Sequence, residues 1–575
     1  TSTQVQWKKT ATGGETSITG ADDNSVTLSY TVGQEVLFIN GVLQVRGTDY
    51  TATDGANITL TSALIASDIV QVVSPMAYAI VGAPTLGGNT FTADQTINGL
   101  RVGKGTGSVI SNTVLGNGAL AATTTGILNT AVGIAALAAN TIGDSNVAIG
   151  SYTLSTNTTG SSNTALGHGV LNLNTTGSAN VAVGYDSMQK NTTGINNTAI
   201  GTLSLFNNTI GNENTAVGNN SLYSNTTGTY NVAVGAYALS SNTTGISNVA
   251  IGRYTIPLNT VGSYIIAVGA SALEQNTASY NVAIGHAALK TNTTSQPNLA
   301  IGYEAMYTNN GGYQNVAVGH QAMRQNTTGV ANTAIGFNAL YNNTVGFNNT
   351  AIGNNAMLST TTGMYNVAVG QGALQLSTIA QLNTAVGDQA MVQNTTGNQN
   401  TAVGQGAMYN NTIGYGNAAL GWNALINNTT GNENTAVGRE AARLNTTGGS
   451  NTSLGAFALN QNTNGSDNVA VGYNAGYAIA GGTQNVVIGR SAGYSGTNNL
   501  TTGSNNIIIG YNAASSSATV SNTITLGNSS ITTLRCQVTS ITALSDERDK
   551  KNIEPLAVGL DFIKTLNPVK FDWNM

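Results

Sequence analysis

Twelve side chains carry most of what this sequence offers by way of chemistry, and each stands directly after a recurring glycine: His168, Tyr185, Arg253, His286, Tyr303, His320, Phe337, Trp422, Arg439, Tyr473, Arg490 and Tyr511. If each repeat makes one turn, they line up as an outward stripe. Aromatic rings beside polar turns can grip a sugar, so one expectation is a surface-glycan contact built on Tyr185, Arg253, Tyr303, Phe337, Trp422, Arg439, Tyr473 and Arg490. Tolerated surface variation is the other. The closest two of the three histidines are 34 residues apart (320 − 286), which predicts no metal site within one chain. No Ser-His-Asp grouping, phosphate loop or carboxylate pair stands out, so neither a cofactor nor a substrate-directed enzyme is expected.

What must position these side chains is a repeat. Its glycine recurs 25 times from Gly116 to Gly527, and 22 of the 24 intervals are 17 residues; Gly269 to Gly285 is 16 and Gly489 to Gly510 is 21. Self-similarity at a short fixed period marks stacked supersecondary units, so the chain reads as a solenoid. One period runs Asn231-Val-Ala-Val-Gly235-Ala-Tyr-Ala-Leu239-Ser-Ser-Asn242-Thr-Thr-Gly245-Ile-Ser247, numbered below as positions 1 to 17 from the Asn. Positions 1 to 4 alternate large and small side chains and are rich in β-branched types, which predicts a four-residue strand. Gly at position 5 permits a turn, Ala-Leu or Ala-Met at positions 8 and 9 predicts a second short strand, and Asn-Thr-Thr-Gly turns the chain back. Two apolar clusters per period favour a two-sided parallel β-roll over a three-sided helix.

Position 3 is Ala in most copies, Ala131, Ala148 and Ala165 among them. A small residue opposite Val or Ile suggests close approach of another backbone. The expected assembly is therefore a parallel homotrimer, with Val/Ile and Leu/Met filling each roll and the Ala stripe facing the sister chains. At about 4.8 Å per rung the array would span about 115 Å. Asn at positions 1 and 12 would stack into side-chain amide ladders.

Bulk properties narrow the function. Only 7% of the 575 residues are charged and the net charge is −5, so no basic surface is available and nucleic acid is not an expected partner. The lone Cys536 rules out an intrachain disulfide framework. Thr1 to Thr10 lacks a basic patch followed by an apolar run, and no stretch approaches the ~20 apolar residues of a membrane span, so neither a signal peptide nor membrane insertion is expected.

Residues 1–81 read as a small antiparallel β module. Val26 to Val32 alternates with period two, Glu35 to Ile39 and Val42 to Val45 flank an Asn40-Gly41 type I′ turn, and further strands are expected at Ile58 to Thr61 and Asp68 to Val73. Residues 82–110 read as a connector, 111–530 as the array and 531–544 as a linker. Leu37-Phe-Ile-Asn-Gly-Val-Leu-Gln44, followed by Asp49-Tyr-Thr-Ala-Thr53, resembles a module at the base of marine phage tail fibres, which implies a virion-side position. The Asn-Val-Ala-Val-Gly core of the repeat is similar to the heads of trimeric autotransporter adhesins, left-handed parallel β-rolls that trimerise. Its longer form with Asn-Thr-Thr-Gly resembles the arrays of phage tail fibres.

Residues 545–575 hold 11 of the chain's 41 charged residues (18 + 23), which marks a new segment. Leu556, Leu560 and Ile563 stand at helical spacing after Pro555, and Val569 to Trp573 alternates, so a short α+β segment is expected. Ser545-Asp-Glu-Arg-Asp-Lys-Lys-Asn-Ile553 with Leu566-Asn-Pro-Val-Lys-Phe571 resembles the opening of the intramolecular chaperone of phage endosialidases, tailspikes and fibres. That resemblance implies a domain that trimerises, guides folding of the fibre before it, and frees itself by cutting ahead of the Ser. Ser545, Asp546 and Lys550 match its motif: Ser545 would attack the carbonyl of Leu544, with Lys550, kept neutral by desolvation, as base. The family's long C-terminal helix is not among the matching residues, so the segment reads as the start of such a domain. A plain cap on the trimer is the simpler alternative.

Together these readings predict an all-β, homotrimeric phage tail fibre that contributes to host-cell attachment. Its expected partners are other tail or baseplate proteins and a host surface glycan or protein receptor, and its expected place is the virion after assembly in the host cytoplasm. A bacterial trimeric surface adhesin is the alternative.

Overall fold

The computed structural model describes residues 5–535 apart from 31, 75–93, 106–108, 110, 124 and 497. Cys536, part of the 531–544 linker and the whole α+β segment at 545–575 lie outside the described residues. The chain divides into two compact units at Asn212/Glu213.

In unit 1, two small antiparallel sheets form first. One joins β1 (Val5–Thr10), β7 (Ile69–Ser74), β3 (Val36–Ile39) and β4 (Val42–Leu43); the other joins β2 (Ser17–Thr19), β6 (Asn57–Leu60) and β5 (Tyr50–Ala52). Trp7, Ile18, Leu28, Leu37, Tyr50, Ile58 and Val72 are buried in one core. The β3–β4 hairpin turns at Asn40-Gly41 with φ of 51° and 80°, the left-handed pair of a type I′ turn. Val26 to Val32 is not a regular strand. Leu28 and Tyr30 point inward as the alternation requires, but their amides bond singly to the Gly20 and Gly55 carbonyls at 2.7 and 2.9 Å. Within the stretch read as a connector, β8 (Gln95–Ile97) and β9 (Leu100–Gly103) form a second hairpin, and β9 pairs antiparallel with the first rung strand. That pairing covers an edge that would otherwise expose unpaired amides.

Rungs then follow from β10 (Thr113–Leu115) to β15 (Thr198–Ile200) in unit 1, and from β16 (Thr215–Val217) to β34 (Ile524–Leu526) in unit 2. Each strand lies parallel and in register with the next inside its unit, as Ala233 does with Ala250. No helix occurs among the described residues.

The strand faces are the reverse of the expectation. Ala131, Ala233 and Ala351 at position 3 are 0% exposed, whereas Ile251 and Leu420 at position 4 are 39% and 50% exposed. Alanine is the inward residue; the Val, Ile and Leu beside it look out. With strands this short only the middle side chain points inward, and it shares a narrow interior with the buried Leu or Met of position 9. A β-branched residue beside a full-sized position 9 crowds that space; Val487 and Ile508 are accommodated there in rungs whose position 9 is Gly493 and Ala514.

The second expected strand is absent as well. Tyr237 and Leu239 at positions 7 and 9 have φ of 58° and 52°, so this leg alternates through the left-handed region instead of extending. It is nonetheless tied to both neighbours: Tyr237 N donates to Asn219 O at 3.0 Å and Leu239 N to Thr255 O at 2.9 Å. A left-handed Leu costs about 1–2 kcal/mol, offset here by full burial and two-sided hydrogen bonding.

Both Asn ladders form. Asn231 Nδ2 donates to Asn214 Oδ1 at 3.1 Å and to Gly245 O at 2.9 Å; Asn242 Nδ2 donates to Asn225 Oδ1 at 2.8 Å and to Gly245 O at 3.1 Å. The third corner of the roll is thus an amide core, which leaves two apolar sides. The position-12 ladder breaks where Thr360 and Ser377 replace Asn: Asn343 Oδ1, Thr360 Oγ1 and Ser377 Oγ are buried without a hydrogen-bond partner. Thr360→Asn should rejoin the ladder at Asn343 and Gly363 and stabilise by about 1–2 kcal/mol, seen as an upward shift of the denaturation midpoint. Ser377→Asn alone should not help, because Ala380 fills position 15. At the equivalent Gly397 an added Cβ would sit 2.5 Å from Asn394 Oδ1. Pairing Ser377→Asn with Ala380→Gly should recover the gain.

Candidate functional site

Position 6 follows the glycine that ends the strand leg, so its side chain leaves the roll at the same place in every rung. In unit 1, Tyr185 stacks on His168 with ring centroids 5.4 Å apart and planes 10° from parallel, and Tyr152 meets the same imidazole edge-on at 6.1 Å. Asp186 lies 3.6 Å from His168 Nδ1.

Among the described residues of unit 2, the position-6 side chains singled out above fall into three groups and one ring that stands alone. Arg253 lies over Tyr254 at 4.7 Å, and Tyr254 stacks on Tyr237 at 5.1 Å. His286, Tyr303, His320 and Phe337 form one continuous stack with centroid spacings of 5.3, 5.0 and 5.1 Å. Rung spacing thus matches ring stacking, and the faces of Tyr303 and His320 are taken up by their neighbours, leaving the ring edges to solvent. Trp422 is exposed and has no ring partner among the described residues. Arg439 lies over Phe457 at 4.5 Å; Phe457 meets Tyr473 edge-on at 5.9 Å; Arg490 lies 5.8 Å from both Tyr473 and Tyr511.

Along the outward stripe, charge and hydrogen-bond interactions gather at Glu304. Its carboxylate accepts from Arg324 Nε at 2.6 Å and Gln321 Nε2 at 3.0 Å, and its hydrogen bond to the Tyr303 hydroxyl pushes that phenol up from its ordinary value. The same carboxylate raises Arg324 further. Among the described residues no group of three His, Cys, Asp or Glu side chains could hold a metal ion, and no helix is long and apolar enough to cross a membrane. The arrangement suits reversible contact through ring edges and guanidinium groups.

The eight residues expected to bind therefore stand on one repeat position; seven of them fall into groups and Trp422 stands apart. Sequence reasoning missed the position-7 rings Tyr152, Tyr237, Tyr254 and Phe457, which complete those groups; the signal was their fixed offset of two from the repeat glycine. Ser545, Lys550 and the Leu544–Ser545 bond lie outside the described residues.

No curated protein and no solved structure matches this chain. The profile of the family described as chaperone of endosialidase matches residues 545–574, the stretch that contains Ser545 and Lys550.

Proposed function

We propose that the chain is a structural phage tail fibre, a homotrimeric rod that contributes to host-cell attachment. The observation that carries this reading is position 4. It is Val, Ile or Leu in all 25 rungs from Leu115 to Leu526 although it faces outward and is half-buried to exposed, whereas position 6, which also faces outward, admits almost any residue. Free solvent exposure would not keep a position apolar without exception. In unit 2 the strip of positions 2 and 4 is about 90 Å long and 7 Å wide, or roughly 600 Å². That lies at the upper end of what an isolated soluble chain ordinarily leaves bare, a size often tied to function, and approaches one partner's share of a stable interface. Two sister chains would cover it, and outward sites would then be presented in triplicate, multiplying weak affinities.

The N-terminal module would dock to other tail or baseplate proteins, and the match at 545–574 supports a chaperone role at the other end. In that role Ser545 Oγ attacks the Leu544 carbonyl while Lys550 takes the hydroxyl proton and passes it to the Ser545 nitrogen, which leaves as an amine when the Leu544–Ser545 C–N bond breaks; water then opens the resulting ester, giving a Leu544 carboxylate and the free Ser545 hydroxyl. Assembly in the host cytoplasm and residence on the virion follow from the same reading. Electron microscopy of particles with and without the gene tests it: loss of a thin appendage is expected, and unchanged particles would refute it. In the complete gene, Ser545→Ala should convert two bands on a denaturing gel into one larger band. An unchanged band size would remove the self-cleavage step alone.

A further inference from the structure

We propose that the stretch of unit 2 from Arg439 to Tyr511 is a binding site for an acidic glycan, a polysaccharide bearing carboxylate or sulfate groups. This rests on the attachment reading and gives the ligand class of its outward stripe. Six Lys and Arg side chains lie on the rungs between Glu213 and Gly527. Three stand away from position 6 and are all paired: Lys290 with Glu274 at 3.5 Å, Arg324 with Glu304 at 2.6 Å and Arg443 with Glu440 at 3.6 Å. The other three, Arg253, Arg439 and Arg490, are the position-6 arginines. They are exposed, have no carboxylate partner among the described residues, and each lies over an aromatic ring.

A guanidinium laid on a ring is held by its face, while its N–H donors lie in its own plane and point away. Stacking therefore fixes the group without using its hydrogen-bonding capacity. Arg490, between Tyr473 and Tyr511, is a fork held ready for a planar or tetrahedral anion. The exposed edges of those tyrosines offer apolar surface for the C–H face of a sugar. Arg439 and Arg490 are three rungs apart, about 14 Å, so a polymer along the axis meets both and a monosaccharide does not. Nucleic acid is the poorer fit: the same rungs carry seven Asp and Glu against the six cations, so there is no continuous basic surface to neutralise successive phosphates.

The test is a titration of the full chain with a polyuronate, a sulfated polysaccharide, neutral dextran of matched length and single-stranded DNA of matched charge. At least one acidic polymer should bind about 10-fold or more tightly than dextran and weaken with salt; which one does so identifies the anion. The variant R439Q/R490Q should lose about 10-fold, whereas R443Q, whose cation is already paired, should not change; circular dichroism checks that both keep the fold. Equal binding of dextran, an unaltered R439Q/R490Q, or DNA bound as tightly as the glycan would overturn the site. Should the variant bind normally while particles lacking the gene fail to adsorb, this site falls and the attachment reading stands. Should binding depend on both arginines while particles carry no such protein, the reverse holds.

Discussion

Gly235→Ala should be among the most damaging single-methyl changes the repeat can suffer. Gly235 has φ of 131°, outside the range an L-residue adopts, and an added Cβ would lie 2.5 Å from the Gly252 oxygen in the next rung. Backbone strain of about 1–3 kcal/mol and overpacking of about 1–3 kcal/mol give a combined loss of about 2–6 kcal/mol. Gly496 separates the two causes. Its φ is 111°, but nothing lies within 4 Å of its would-be Cβ, so Gly496→Ala should cost only the strain. Stacked units contact only their neighbours, so the Gly235 variant should lose hydrogen-exchange protection around residues 235–252 while the N-terminal sheets keep theirs. Equal losses in the two variants would mean that the close approach of successive glycines contributes nothing.

The elements that were legible in the sequence are those specified by local chemistry. Asn40-Gly41 can hardly avoid a type I′ turn, and Asn recurring at positions 1 and 12 between apolar neighbours has to find partners in the adjacent rung. The orientation of the strand was not legible, for a physical reason. Period-two alternation says which residues share a face and is silent on which face is inside when both are apolar. Volume decides, and the volume available depends on Leu239 arriving from the other leg. That leg was hidden in turn, because left-handed Tyr237 and Leu239 oppose their own backbone preferences and are held there only by bonds to the rungs on both sides. The outward stripe could be read because position 6 varies freely. Its position-7 partners keep a fixed offset in the sequence, but their pairing with position 6 could not be read, since the left-handed turn is what brings Tyr254 beneath Arg253 and Phe457 beneath Arg439.

Swapping the demands on the two strand faces at one rung should therefore give opposite phenotypes. Ala250 is 0% exposed in an interior that also holds the buried Leu239 and Ile256, so Ala250→Leu should overpack it and cost about 1–3 kcal/mol, read as a lowered midpoint and lost exchange protection in that rung. Next to it, Ile251 faces outward, as do Ile284 and Ile335. The triple change Ile251→Lys, Ile284→Lys, Ile335→Lys places cations where sister chains are proposed to meet. It should leave the circular dichroism of the roll intact while reducing the mass in solution from three copies to one, since like charges brought together out of water repel and lose hydration. If the triple variant stays assembled, the strip is not the contact between copies. If it unfolds while Ala250→Leu is tolerated, then the alanines face the neighbours after all. Only when the inner change breaks the rung and the outer changes break the assembly does a single face explain why an exposed position never becomes polar in 25 repeats.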